Sequence, residues 1–344
     1  MRLIGAAENS WRINVASRIG IGVKSPISRA LVTLGTLALL SGCGVTGMAG
    51  QPSGHSQVGF AALGDFVARA IEPIPLQPPR FSAKIIAHRG FSSRYPENTV
   101  AAIRSAVEAG ADMVEIDVQL TKDLELVVMH DDSVYRTTNG SGLVRDLTLE
   151  QIRALDAGGK FDAKFAGERV PTLEEAIDAV HGKAMLNIEV KNADTEGSRK
   201  YMAAKIAELV SRKNYASHVQ IMAFDSDFLR EMRQQSPHIS MAMLAVTNSF
   251  NRKLRQAAKL EMDGLNLLHH AVSQGEVEAI HKAGLKTNVY TVNRASSMVK
   301  SLKKGVDGII TDYPDVAAVA MATYFNGGVM MPDSLVDGPD GELP

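Results

Sequence analysis

The 344-residue chain has a single cysteine, Cys43. An intramolecular disulfide and a cysteine-based zinc site are therefore both excluded. An excess of either charge is missing too, since 37 basic residues face 38 acidic ones for a formal net charge of -1. No global field draws such a protein to nucleic acid or to an anionic membrane, so any anion it binds is held by local charge. Its leading apolar stretch, Ala30 to Leu40, falls short of the ~20 residues a stable membrane span needs. What the chain does have is 45% hydrophobic content. That is enough for a sizeable core in one large domain or two ordinary ones, and too much for a disordered protein.

The stretch after Arg29 has the size of a signal-peptide core and ends in Leu40-Ser41-Gly42-Cys43. That ending resembles the lipobox of bacterial lipoproteins, where the leader is cut before the cysteine and the thiol is acylated. The resemblance implies a signal peptide over 1–42, a lipidated Cys43 and a cell-envelope protein anchored to a membrane by lipid. With two membranes it would sit on the periplasmic or outer-membrane side. Residues 43–80 are rich in Gly, Ser and Pro and end in Pro73-Ile74-Pro75-Leu76-Gln77-Pro78-Pro79, which favours an extended tether. The stretch 324–344, rich in Gly, Pro and Asp, lacks periodicity and is expected to be disordered.

Between these ends, over 81–323, short apolar runs such as KIIAH, MVEIDV, LVVMH, MLNIEVK and GIIT alternate with amphipathic helical patterns. Such alternation points to α/β units around a parallel sheet. About nine strand candidates suit one closed barrel of the TIM (β/α)8 type better than two open sheets. The surplus strand has a place: the link from Gln119 to Glu125 is too short for a helical crossover, so the second and third strands are expected to form a hairpin. Thr148-Leu149-Glu150-Gln151 and Thr172-Leu173-Glu174-Glu175 both read as helix capping boxes. Both fall in a small insertion after the third strand, expected over about 131–183.

Strand side chains alternate faces. Glu115 and Asp117 therefore share one face of VEIDV, with Ile116 and Val118 on the other, and Asn187, Glu189 and Lys191 share one face of LNIEVK. A closed barrel has no exposed edge, so charges at strand ends belong to the rim where barrel active sites form. His88 and Arg89, at the end of IIAHRG, surface at that rim, and the hairpin brings His130 close to Asp117. Three converging carboxylates repel one another unless a divalent cation joins them, and oxygen-only ligands indicate magnesium or calcium. Three negative charges against two on the metal and two on Arg89 and Lys191 leave about one positive, suited to a singly charged phosphodiester. Two histidines would supply a base for the attacking oxygen and an acid for the leaving alkoxide.

At this point the sequence resembles the glycerophosphodiester phosphodiesterase family. The matching runs are IIAHRGFSSRYPENTVAAIRSAVEAGADMVEIDVQLTKD, LVVMHDDSVYRTTNGSG, VPTLEEA, NIEVK and VYTVN…GVDGIITDYP, spread over about 85–319. The resemblance implies a TIM barrel with an insertion after the MHD strand, and hydrolysis of glycerophosphodiesters to glycerol phosphate and an alcohol. His88 and His130 match the family's acid-base pair, Glu115, Asp117 and Glu189 its metal ligands, and Arg89 and Lys191 its phosphate contacts. Glu97 and Asn98 fall in the PENT run beside the site, although Asn98 equally suits the cap of the following helix. Leu124 stands where many members have a turn glycine. Tyr290 stands on the substrate pocket wall where many have tryptophan. Two alternatives stay open: phospholipase D-like cleavage of lysophospholipids or sphingolipids, and a surface lipoprotein that binds phosphodiesters without turnover.

Overall fold

The computed structural model describes residues 83–180, 182–246 and 249–325. The expected signal peptide, Cys43, the tether and 326–344 of the expected tail lie outside the described residues, whereas Tyr324 and Phe325, expected in that tail, end the last helix, Pro314–Phe325, and pack against the main core. No helix among the described residues is long and apolar enough to cross a membrane.

Eight short parallel strands form the barrel: β1 (Lys84–Ala87), β2 (Met113–Leu120), β4 (Met185–Val190), β5 (Val219–Ala223), β6 (Ser240–Ala245), β7 (Gly264–Leu268), β8 (Asn288–Tyr290) and β9 (Gly308–Thr311). Strand β1 pairs with β2 on one side and with β9 on the other, so the sheet closes on itself. The predicted alternation holds. Val114, Ile116 and Val118 of β2 and Leu186, Ile188 and Val190 of β4 join the apolar layer under the helices. Inside the barrel, Ile86, Met113 and Ile310 pack with Met185 and Tyr290, and Met222, Ala242 and Leu244 pack beside the same tyrosine. Each fully buried aliphatic side chain contributes about 1.5–3 kcal/mol through lost water contact.

The helices α1 (Val100–Glu108), α3 (Leu173–Val180), α4 (Glu196–Arg212), α5 (Ser226–Gln235), α6 (Phe250–Lys259), α7 (Gln274–Lys282), α8 (Ala295–Lys303) and α9 (Pro314–Phe325) cover the outside. Thr99, not Asn98, caps α1, its hydroxyl accepting from Ala102 N at 3.2 Å. Gly90 has a reason of its own: its φ is +82°, and a Cβ there would lie 2.6 Å from the Ala102 backbone. The HRG turn can approach α1 only without a side chain.

The surplus strand, β3 (Leu126–Val128), is antiparallel to β2 with Val118 opposite Val128 and Leu120 opposite Leu126, the expected hairpin. Its outer edge is pinned by Val128 N donating to Pro171 O at 2.8 Å. Beyond it the insertion builds a satellite core from Val127, Met129, Val134, Val144, Ile152, Ala157 and Val170. Within it lies the short helix α2 (Leu149–Arg153), opened by the Thr148–Gln151 capping box. Thr172 and Glu175 satisfy one another's backbone N–H groups at 2.8 and 3.2 Å as expected. But α3, which they open, places Leu173, Ala176, Ile177 and Val180 in the main core. The insertion therefore ends near Val170, short of the boundary at 183, because its last helix buries its apolar stripe against the barrel.

The hairpin turn runs through Leu124 at φ +63°, closed by Leu124 N to Thr121 O at 3.0 Å and Thr121 N to Glu125 O at 2.9 Å. A left-handed conformation costs an L-residue about 1–2 kcal/mol, against about 0.5–1 kcal/mol of extra chain entropy for glycine. The Leu124 side chain is exposed and returns little of that. Leu124→Gly is expected to stabilise the fold by about 0.5–1 kcal/mol, raising Tm by about 1–4 °C in a domain of this size. Calorimetry of the two proteins decides it, and a lower Tm for the glycine variant would refute the strain.

Candidate active site

The strand ends of β1, β2 and β4 and the turn after β3 bring the charges together. Glu115, Asp117 and Glu189 each offer a carboxylate oxygen within 4.8 Å of the others. Glu115 and Asp117 are buried, and their Oε1 and Oδ1 atoms have no hydrogen-bond partner. Orphaned buried oxygens are costly, and these two, converging with an oxygen of Glu189, form a ready cradle for a hard divalent cation.

The remaining oxygens are anchored. Asp117 Oδ2 accepts from Asn98 Nδ2 at 2.9 Å, while Asn98 Oδ1 accepts from Asp117 N at 3.2 Å. Glu115 Oε2 accepts from Arg89 N at 2.8 Å. Glu189 Oε1 pairs with Lys191 Nζ at 2.9 Å, and Lys191 also faces Asp117 Oδ1 at 3.7 Å. The Arg89 guanidinium, expected on phosphate, is engaged by Glu97 at 2.9 Å and lies 3.5 Å from Asp117. Arg89 and Asn98 both sit at positive φ, +54° and +58°, which turns Arg89 N and the Asn98 amide back to the carboxylates.

Each histidine has a carboxylate on Nδ1. His88 Nδ1 lies 2.6 Å from Asp312 Oδ1, with its Nε2 4.0 Å from Glu115 Oε2. His130 Nδ1 lies 2.7 Å from Asp131 Oδ1. Arg136 grips Asp131 at 2.6 and 2.9 Å and reaches Glu97 at 2.7 and 2.8 Å. Gln119, buried on β2, donates to the carbonyls of Met129, His130 and Asp131 at 2.9, 3.1 and 2.7 Å, fixing the turn that carries His130. Tyr290 stands on the wall toward β5, its hydroxyl on Ala245 O at 3.2 Å and its ring edge-on to Phe224.

The titration of the cluster follows from this packing. Burial, reinforced by the Asp117 charge, pushes Glu115 up to about 8. Burial and Asp117 also raise Glu189 against the pull of Lys191. Asp117 is held below the usual carboxylate range, since Arg89, Lys191 and His130 outweigh its own burial.

The structure thus joins His88, Arg89, Glu115, Asp117, Glu189 and Lys191 in one group, with His130 near Asp117 and Tyr290, packed inside the barrel, near enough to feel the charge of Glu189. Cys43, the lipidation candidate, lies outside the described residues. Sequence reasoning missed Gln119, Asp131, Arg136 and Asp312. All four stand in the matching runs, and the period of two already put Gln119 on the face of Glu115 and Asp117 with Asp131 beside a candidate histidine, whereas Arg136 and Asp312 had only their place in those runs.

The model of the glycerophosphoryl diester phosphodiesterase family matches residues 88–316. A glycerophosphodiester phosphodiesterase of Caldanaerobacter subterraneus is 42% identical over 234 residues, 67% of this chain and 94% of that one. A glycerophosphodiester phosphodiesterase of Bacillus subtilis is 34% identical over 245 residues, 67% of this chain and 84% of its own length. Among solved structures, an Oleispira antarctica phosphodiesterase in complex with the product sn-glycerol-3-phosphate superposes with a TM-score of 0.64 at 30% identity, covering 70% of this chain and 96% of that one.

A protonated Glu115 has a measurable consequence. Near neutral pH a cation entering the cradle must displace that proton, so apparent affinity should climb about tenfold per pH unit and level off above about 8. Titration calorimetry with magnesium or calcium at pH 7, in buffers of different ionisation enthalpy, should report release of about one proton. Affinity independent of pH between 6 and 8 would refute the proton on Glu115.

Proposed function

The chain belongs to the glycerophosphoryl diester phosphodiesterase family, and from that premise we propose that it hydrolyses glycerophosphodiesters to glycerol 3-phosphate and an alcohol, using a hard divalent cation and paired histidines. The observation that carries this reading is the oxygen-only triad flanked by two imidazoles, each tied to a carboxylate through Nδ1. The product held by the Oleispira relative supports the same products here.

Glu115, Asp117 and Glu189 would hold the cation, and magnesium or calcium suits three carboxylates better than zinc or copper. When bound, such a cation neutralises charge on the phosphoryl oxygens. Lys191 and Arg89 add positive charge on the same side. His130 accepts a proton from the attacking water as its oxygen bonds to phosphorus. His88 gives its Nε2 proton to the departing alkoxide as the bond from phosphorus to the alcohol oxygen breaks. One water is consumed, and the two histidines exchange protonation states, to be reset through solvent.

The environments favour these roles. Burial, with Arg89 and Lys191, holds His130 below the usual imidazole value against the pull of Asp117 and Asp131, which suits a neutral base. At His88, burial and Arg89 act downward, but the charge and hydrogen bond of Asp312, with Glu115, carry it above that value. That suits a charged acid.

Activity should therefore rise with pH as His130 loses its proton and fall as His88 loses its own, a bell whose limbs belong to the coupled pair. His88→Ala and His130→Ala should each lower kcat about 10²–10⁴-fold, and the double variant little further, because groups acting as a unit are non-additive. Multiplying losses, or loss of cation binding in calorimetry, would reassign the histidines to binding.

We also propose that Cys43 carries a lipid and that residues 44–80 tether the barrel to a membrane of the cell envelope. The run Leu40-Ser41-Gly42-Cys43 supports this. Cys43→Ser should shift the protein from the membrane to the soluble fraction on centrifugation, and an unchanged membrane fraction would eliminate the anchor.

A further inference from the structure

The two histidine–carboxylate pairs beside the triad differ in what else their carboxylates touch. Asp131 shares Oδ1 between His130 and Arg136 Nη2, at 2.7 and 2.9 Å, and gives Oδ2 to Arg136 Nε at 2.6 Å. Its negative charge is already balanced by a guanidinium. Asp312 has different company. Asn293 Nδ2 donates to its Oδ2 at 2.7 Å, and Ser92 Oγ lies 2.9 Å from its Oδ1, sharing one proton between that oxygen and His88 O at 2.7 Å. Both donors are neutral, so the charge of Asp312 is directed at His88.

The support is built in depth. Asn293 Oδ1 accepts from Asp312 N at 3.0 Å and from Thr311 Oγ1 at 3.2 Å, which fixes the amide with its nitrogen toward Asp312. His88 N in turn donates to Thr311 O at 2.8 Å, locking the histidine to the strand end that carries Asp312. Backbone and side chain of His88 are thus both held by the end of β9, on the far side of β1 from the triad strand β2.

We propose that Asp312 is a positioning residue for proton delivery: it holds Nδ1 of His88 as the donor to its own carboxylate and leaves Nε2 as the nitrogen that serves the leaving oxygen. This rests on the assignment of His88 as the acid. An amide cannot replace this carboxylate. In Asp312→Asn the new NH2 must face either the Asn293 donor or His88 Nδ1, and either choice breaks one of the two contacts.

The test uses two substrates that differ in their need for an acid. A glycerophosphodiester of ethanolamine expels a poor alkoxide, whereas one of p-nitrophenol expels a stable phenolate that leaves without protonation. In the full-length enzyme with saturating magnesium, Asp312→Asn should lower kcat for the ethanolamine ester about 10²-fold, the lower end of the scale for acid-base catalysis. KM should stay within about threefold, and the p-nitrophenyl ester should slow by less than about threefold. Asp312→Glu, which keeps the carboxylate, should recover part of the ethanolamine rate, which repair of a merely structural defect would not confine to that ester. His88→Ala should show the same selectivity, and Asp131→Asn should slow both esters. If Asp312→Asn fails to fold, Ser92→Ala should give a few-fold loss confined to the ethanolamine ester. Equal slowing of both esters in the Asp312 or Ser92 variant, or no slowing of either, overturns the proposal while a selective His88→Ala leaves the acid assignment standing. A wild-type enzyme inactive on both esters, or a His88→Ala without selectivity, overturns the catalytic reading itself.

Discussion

Three carboxylates with oxygens within 4.8 Å of one another, in a place where two of them are buried, repel, and the layout of the site answers that repulsion. At an effective dielectric of about 20 each such pair costs roughly 3 kcal/mol. Three pairs approach the ~5–15 kcal/mol that holds a whole domain together. The cluster cannot stand as three bare anions. Lys191 is set against Glu189, Arg89 and Asn98 against Asp117, and burial with the Asp117 charge pushes Glu115 toward its neutral form. The left-handed backbone at Arg89 and Asn98 belongs to the same solution, because it turns Arg89 N and the Asn98 amide back onto the carboxylates. Strain of about 1–2 kcal/mol at each residue is small beside the repulsion it helps to offset.

Much of this was legible in the sequence because it depends on local rules. A period of two placed Glu115 with Asp117 and Asn187 with Glu189, and barrel closure then made those positions a rim. A loop too short for a crossover made the β2–β3 hairpin unavoidable. The Thr148 and Thr172 capping boxes were readable because hydroxyl and carboxamide or carboxylate need only three residues of separation to satisfy each other.

What escaped reading depends on where distant segments meet. Asn98 suits a helix cap by composition, but the turn places Thr99 at the cap and leaves Asn98 for Asp117, nineteen residues on. Asp312 and His88 are 224 residues apart, and only the pairing of β1 with β9 sets them side by side. Arg89 reads as a free cation near phosphate, yet Glu97 engages it. The end of the insertion escaped too, since α3 has an amphipathic pattern that fits a barrel helix and an insertion helix alike. Which core buries its stripe is decided by packing, not by pattern.

The insertion is consequently part of the site's mechanics and more than a decoration after β3. Strand β3 has only three residues, and a hairpin of that length is marginal by itself. It is held because β2 bonds one edge, Pro171 bonds the other, and Val127 and Met129 are buried in the satellite core. The turn that follows delivers His130 and Asp131, and Gln119 clamps its three carbonyls from the barrel side. Arg136, from the insertion, completes the closure by joining Asp131 to Glu97, which in turn holds Arg89. A chain of charge-assisted bonds thus runs from the insertion through Arg136 and Glu97 to Arg89, whose guanidinium faces Asp117 at 3.5 Å. Loosening the satellite core would release His130 and withdraw Arg136 from Glu97, although neither His130 nor Arg136 belongs to that core.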